Sequence, residues 1–265
     1  MRLKILLLFF CLLFNSVSVY AVISLDSLSN SDITIVKSVV KKLEPIILER
    51  QKKQNHAIIS FDELYAPLSK KERKFLKNFL QLDTKKLGVK ISFQGLAKGK
   101  EDLIVLNDQR IKRKGELKYL PSQFVLKNIY DAFQSMMLAM EKDIGKRLYI
   151  ESGYRSSAYQ LYLFMYYLGN HHYSIRETAR FVAFPGYSEH GSPSHQAIDF
   201  INIDGIGNHA PAEHFETLEE YQWLLKNANR FGFVLSYPRN SPDGMSFEPW
   251  HWRYEGLQNT RMKEK

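Results

Sequence analysis

The sequence predicts an α+β fold: a small, mostly antiparallel sheet flanked by helices, preceded by an N-terminal α+β extension. Two observations carry this. The hydrophobic period changes along the chain from helical spacing to alternation and back, which separates helices from strands. The strands and helices then follow in no regular βαβ alternation, which argues against a parallel, doubly wound sheet. No internal repeat or low-complexity tract interrupts the 265 residues.

The chain begins with the basic Met1-Arg2-Leu3-Lys4, an apolar run from Ile5 to Phe14, and a small-residue stretch ending Val19-Tyr20-Ala21. This reads as a secretory signal peptide cleaved after Ala21, its apolar core being about half the roughly 20 residues of a spanning helix. The single cysteine, Cys11, lies inside that apolar core. A mature chain would contain none, so disulfides and thiolate metal ligands are excluded despite an oxidising destination.

The whole chain carries a formal charge of +9, and removing Arg2 and Lys4 with the leader leaves 35 basic against 28 acidic side chains, or +7. A basic exported protein is drawn to anionic envelope surfaces. The lysines are scattered, without the aromatic interleaving of a single-strand binder, so nucleic acid is not an expected partner.

From Ser31 to Glu49 the apolar positions Ile33, Val36, Val39, Val40, Leu43 and Ile46 recur at helical spacing, and a second amphipathic helix is expected from Ser69 to Leu82. Val89 to Phe93 alternates as a strand, with Leu103 to Leu106 as its expected partner. Residues 22–118 thus form the extension, and they contain no constellation that reads as chemical.

Basic residues crowd Arg110 to Lys118. Leu120-Pro121-Ser122 then supplies a turn and an N-cap for a helix whose apolar face uses Val125, Leu126, Ile129, Phe133, Met136, Met137 and Met140, ended by Gly145. Spacing alone explains the methionine stripe as core packing. Leu148 to Ser152 is a short strand, Ser157 to Leu168 a helix, Gln196 to Ile203 a strand, Glu216 to Phe231 a helix, Gly232 to Leu235 a strand and Trp250 to Tyr254 the last strand. The catalytic-type domain is expected over 119–258, with a tail at 259–265.

Three fragments of that region concentrate the chemistry: Ser188-Glu189-His190, Ala197-Ile198-Asp199 and Glu248-Pro249-Trp250-His251. Catalytic zinc takes three protein ligands and leaves a fourth position open, with a nearby non-ligating carboxylate as base. His190, Asp199 and His251 can be the ligands and Glu248 the base. Asp199 is the most telling, because a carboxylate in an apolar strand is costly to bury unless paired or bound to metal. Alternation in the last strand puts His251 and Arg253 on one face and Trp250 and Trp252 on the other. His195, four residues before Asp199, defines a rival ligand set in place of His190. The pair His171-His172 has no matching carboxylate and reads as surface, and His209 and His214 could line the cleft rim but are assigned no role.

Ser152-Gly153-Tyr154-Arg155-Ser156 with Gln160, Pro185-Gly186-Tyr187-Ser188-Glu189-His190, Ala197-Ile198-Asp199 and Glu248-Pro249-Trp250-His251-Trp252-Arg253-Tyr254 together resemble the VanY-type D-alanyl-D-alanine carboxypeptidases, zinc-dependent LAS metallopeptidases, in family order from about 120 to 256. The resemblance implies one Zn²⁺ on His190, Asp199 and His251, with Glu248 activating water and Arg155 holding a substrate carboxylate or the developing oxyanion. Ser188 and Gln160 would help seat the peptide. One departure stands out: Gly191 to Ile198 puts eight residues between the first histidine and the aspartate, two more than the family usually has.

The expected activity is that of a periplasmic or secreted zinc peptidase acting on peptidoglycan stem peptides, as a D-alanyl-D-alanine carboxypeptidase. An L,D-carboxypeptidase or a cross-link endopeptidase would use the same chemistry. A non-catalytic wall-binding protein is the alternative from another class; Glu248 and Arg155 count against it, since a structural zinc site needs neither.

Overall fold

A computed structural model describes residues 23–88, 90–241 and 245–257. The leader and its cleavage point at Ala21, Val89, and the tail at 259–265 lie outside the described residues. Helix α1 (Asn30–Lys52) is capped by Ser29, whose side chain accepts from the Asp32 amide. It is longer than the pattern predicts and carries Pro45 within it. Helices α2 (Phe61–Tyr65) and α3 (Lys70–Phe79) each start with a complete capping box, Ser60 with Glu63 and Ser69 with Glu72, which satisfies amides that a helix start otherwise leaves unpaired.

The region between the two expected helical parts departs from the sequence reading. Residues 90–98 form no strand; the Gln94 amide donates to the Gly186 carbonyl at 2.7 Å, anchoring this segment to the loop that enters the site. Strand β1 (Leu103–Leu106) pairs instead with β4 (Gln123–Leu126), Leu103 opposite Leu126. Val125 and Leu126 are therefore strand residues, and helix α4 (Lys127–Ile144) begins later, without the Ser122 cap. The apolar spacing around Val125 fits either period, and the cross-strand ladder decides it. Between β1 and β4, the basic crowd at Arg110–Lys118 folds as a hairpin of β2 (Arg110–Arg113) and β3 (Glu116–Tyr119), its Lys114-Gly115 turn having positive φ at both residues, 53° and 82°.

Past the left-handed Gly145 cap come β5 (Tyr149–Ser152), α5 (Ser157–Leu168), the single turn α6 (Ile175–Thr178), β6 (Ala197–Ile201), α7 (Ala212–Glu216), α8 (Glu219–Asn227), β7 (Phe233–Leu235) and β8 (His251–Tyr254). The long helix expected over Glu216–Phe231 is thus split, its end tightening to a 3₁₀ turn at Ala228–Phe231. The main sheet has the order β5-β6-β8-β7 with every pairing antiparallel. This is the α+β, small antiparallel sheet flanked by helices that the sequence predicts.

Two apolar cores organise the chain. In one, Ile150, Ile198, Phe200, Phe233 and Trp252 on one sheet face meet Ile129, Phe133, Met136, Met137 and Met140 of α4 and Trp223 and Leu224 of α8. In the other, Val36, Val39, Leu43 and Ile47 of α1 and Phe75, Leu76 and Phe79 of α3 meet Leu161, Phe164, Met165 and Leu168 of α5. Phe79 stacks on Phe184 with ring centroids 5.0 Å apart, and Phe164 lies edge-on to Phe184 at 5.6 Å. Helix α5 is consequently buried on most sides, between the N-terminal helices and the site.

Candidate metal centre and substrate cleft

The site grows from strand alternation. Ile198 and Phe200 of β6 enter the core, so Asp199 between them projects from the opposite face; in β8, Trp252 enters the core and His251 faces out. The β6–β8 register sets Asp199 directly opposite His251, and β5 sets Ser152 opposite Asp199. A carboxylate and an imidazole are cross-strand neighbours by topology alone.

The third member arrives on the 3₁₀ turn Glu189–Gly191. The Arg155 amide donates to the His190 carbonyl at 3.2 Å, and His190 Nδ1 lies 2.8 Å from the Gly153 carbonyl. Gly153 is needed there, since a Cβ would come within 2.3 Å of the Phe124 carbonyl oxygen. Ligand atoms of His190, Asp199 and His251 lie within 4.8 Å of one another, and all three residues are buried. His195 is exposed, its Nδ1 3.2 Å from the Tyr254 carbonyl, and is not part of this group.

The donor set fits a divalent cation. A carbonyl only accepts, so His190 donates through Nδ1 and presents a lone pair at Nε2, which faces Asp199 Oδ2 at 3.4 Å. Two acceptors that close need a positive charge between them. His251 offers Nδ1 at 2.8 Å from Asp199 Oδ1, while its Nε2 lies 2.9 Å from Glu189 Oε2. Two imidazole nitrogens and a carboxylate oxygen are the ligand types of catalytic zinc.

The protein's own charges polarise this cluster. Burial, with help from Arg155, pushes His190 down to about 4 and keeps it neutral. Burial would also depress His251, but the hydrogen bonds to Asp199 and Glu189 outweigh it and lift it to about 10, so a cation taking Nδ1 must displace a proton there. Burial opposes ionisation of Asp199, yet its histidine neighbours hold it well below the usual carboxylate range.

Glu248 lies beside the cluster, Oε2 3.8 Å from His251 Nδ1. The turn across Pro249 is closed by the His251 amide donating to the Glu248 carbonyl at 3.1 Å, and the Glu248 amide is held by the Tyr237 carbonyl at 3.1 Å. Burial raises the Glu248 carboxyl above its ordinary value, as suits a base. Arg155, Gln160 and Ser188 line the same cleft of about 580 Å³. Gln160 is buried and donates to the Ala183 carbonyl at 2.8 Å, and Arg155 Nε has no hydrogen-bond partner among the described residues. The structure brings together all seven residues singled out from the sequence.

Three neighbours were not singled out. Glu189 holds the far side of His251; Tyr237 stacks on the same ring at 4.8 Å; Asn208 donates to Asp199 Oδ2 at 3.3 Å. Glu189 sat inside a quoted block and had the signal of an acid beside a candidate ligand. Asn208 and Tyr237 lie in loops with no pattern to find them by. His171 also borders the cleft, stacked on Phe181 at 4.7 Å.

The chain is similar to several known carboxypeptidases. The D-alanyl-D-alanine carboxypeptidase of Enterococcus faecalis is 43% identical over 84 residues, covering 31% of this chain and 28% of that protein. The putative carboxypeptidase YodJ of Bacillus subtilis is 32% identical over 149 residues, 54% of this chain and 50% of YodJ. The bifunctional D-Ala-D-Ala dipeptidase and carboxypeptidase VanXYC of Enterococcus gallinarum is 32% identical over 125 residues, 46% of this chain and 62% of VanXYC. The chain thus spans less than two thirds of each of these relatives. Among solved structures, the LdcB LD-carboxypeptidase is similar at 28% identity and a TM-score of 0.50, over 63% of this chain and 76% of that one. The family model for VanY, D-alanyl-D-alanine carboxypeptidase, matches residues 122–257, just over half the chain and the whole of the His190–Asp199–His251 cluster; the chain belongs to the VanY family.

Proposed function

We propose that this protein is an exported zinc-dependent peptidase that hydrolyses the peptidoglycan stem peptide, releasing its C-terminal D-alanine. The observation that carries the reading is the convergence of two imidazole nitrogens on the two oxygens of Asp199, with the unligated Glu248 alongside. His190, Asp199 and His251 would hold Zn²⁺, which when bound would supply a Lewis acid for the scissile carbonyl and for water.

The chain's own groups do the rest. Glu248 removes one proton from the attacking water; as the carbonyl carbon–nitrogen bond breaks, it returns that proton to the leaving amine. Arg155 places a fixed positive charge where the terminal carboxylate is held or the oxyanion develops, with Gln160 and Ser188 beside it on the cleft wall. Export rests on the leader at 1–21, and the net positive charge favours residence near anionic wall and membrane surfaces. No helix among the described residues is long and apolar enough to cross a membrane.

The likeness to an LD-carboxypeptidase supports a second reading, removal of D-alanine from tetrapeptides. The deciding experiment incubates purified protein, with and without Zn²⁺ and beside Glu248→Ala, with pentapeptide, tetrapeptide and cross-linked muropeptides, and weighs the products. Zinc-dependent loss of one alanine from pentapeptides is expected. Loss only from tetrapeptides favours the L,D reading, cleavage of dimers an endopeptidase, and no cleavage at all a wall-binding protein.

A further inference from the structure

The cleft does not end at the metal centre. A second cavity of about 510 Å³ adjoins the first and shares Arg155, Leu163, Asp199 and Asn208 with it. The cluster lines the first cavity, and the second adjoins it at Asp199, so the two read as limbs of one groove. Each limb is of the size that holds a ligand larger than one amino acid.

The second limb has two distinctive properties. Part of its wall comes from outside the segment that matches the family: Gln51 at the end of α1, and His56 and Ala57 in the following 3₁₀ turn. This wall is tied to the site at the Arg155–Ser156 corner. The Ser156 amide donates to the Ala57 carbonyl at 2.8 Å, the Ser156 hydroxyl donates to the Ile59 carbonyl at 2.6 Å, and the His56 ring stands edge-on to Tyr159 at 5.1 Å.

The limb is also lined by polar side chains: Gln51 and His56 line it and not the first limb, whereas Arg155 and Asn208 line both. Among the described residues, His56 Nδ1, Arg155 Nε and Asn208 Oδ1 are buried without a hydrogen-bond partner, and all three residues line the limb. Such atoms are rare in folded proteins and costly to leave unpaired, so small side-chain rotations that turn them toward the cavity gain partners from a ligand bound there. They offer donors and acceptors together, as the N–H and C=O groups of a peptide backbone require.

Direction follows from the base. Glu248 lines the first limb but not the second. The leaving amine must lie within reach of Glu248 to receive its proton, so the released residue occupies the first limb and the acyl side of the peptide runs into the second. We propose that the limb walled by Gln51 and His56 is an acyl-side subsite, binding the backbone amides of the stem-peptide residues that precede the scissile bond. This rests on the peptidase reading above and extends it: the substrate is an extended peptide, and the N-terminal segment helps to select it.

The test compares kcat/KM of the full chain on free D-Ala-D-Ala, N-acetyl-L-Lys-D-Ala-D-Ala and the stem pentapeptide, with the matching series ending in a single D-Ala for the L,D reading. Wild type is expected to prefer the longest peptide over the shortest by at least about ten-fold. His56→Phe, which keeps a ring against Tyr159 but removes its nitrogens, and Gln51→Ala should each shrink that preference several-fold by lowering kcat/KM on the longer peptides. Equal rates on all lengths, or variants that leave the length preference unaltered, overturn the subsite while leaving the peptidase standing. Hydrolysis of no peptide of any length overturns the peptidase reading and the subsite with it.

Discussion

His251 is gripped from behind by Glu189: Nε2 lies 2.9 Å from the Glu189 carboxylate while Nδ1 faces Asp199, and both carboxylates are buried. A histidine whose outer nitrogen donates to a carboxylate has its tautomer and ring orientation fixed, leaving the inner lone pair for metal. Glu189 is in turn 3.8 Å from the Arg253 guanidinium. Glu189→Ala is expected to weaken Zn²⁺ binding by roughly 10- to 100-fold, measured by competition with a chromophoric chelator, with Glu189→Gln intermediate. Unchanged affinity in both variants would show that the contact only fills space.

Glu248 borders the His190–Asp199–His251 cluster without being part of it. Glu248→Ala should retain Zn²⁺ and lose turnover, whereas Asp199→Ala should lose both, as read by metal analysis after dialysis beside a peptide-release assay. An active Glu248→Ala protein would sink the assignment. Burial raises the Glu248 carboxyl, and a base works only when ionised. Activity should accordingly rise with pH through a midpoint above the ordinary carboxylate range.

Glu72, at the start of α3, joins helix to helix. Burial pushes its carboxyl up, but hydrogen bonds from Lys42 and Ser38 of α1 and from Ser69 outweigh this and bring it down to about 2. A carboxyl depressed on folding adds stability above its unfolded pKa, and that stability is lost as pH falls through the folded one. Glu72→Ala should cost on the order of 1–3 kcal/mol at neutral pH, and the gap from wild type should close between about pH 4.5 and 2. Denaturant melts across that range check it; a gap independent of pH refutes the electrostatic account.

Phe79 of α3 touches both Phe164 and Phe184, so the N-terminal helices and the helix beside the site share one core. Phe79→Ala should destabilise by about 3–5 kcal/mol and lower the melting of the whole molecule in a single transition. Two separate transitions by calorimetry, with only the earlier one shifted, would mean that the two regions fold independently.

Much of this was legible in the chain. The period-3.6 stripes located α1, α3, α4 and α5, and the lone acid in the apolar run around Asp199 marked the site, because a buried charge demands a partner wherever it occurs. The reading failed where local pattern is ambiguous: Val125 and Leu126 suit a helix face as well as a strand, and among the described residues 90–93 pair with no strand.

The sequence by itself determined the main helices, the residue types of the candidate ligand set and the family blocks, since these depend on residue identity and short-range spacing. Only the tertiary structure decided between His190 and His195, set Asp199 opposite His251, put Glu189 behind the ring, and carried Gln51 and His56 to the cleft wall. These are contacts between residues far apart in the chain, fixed by strand register and by burial of shared apolar surface, and no local pattern encodes them.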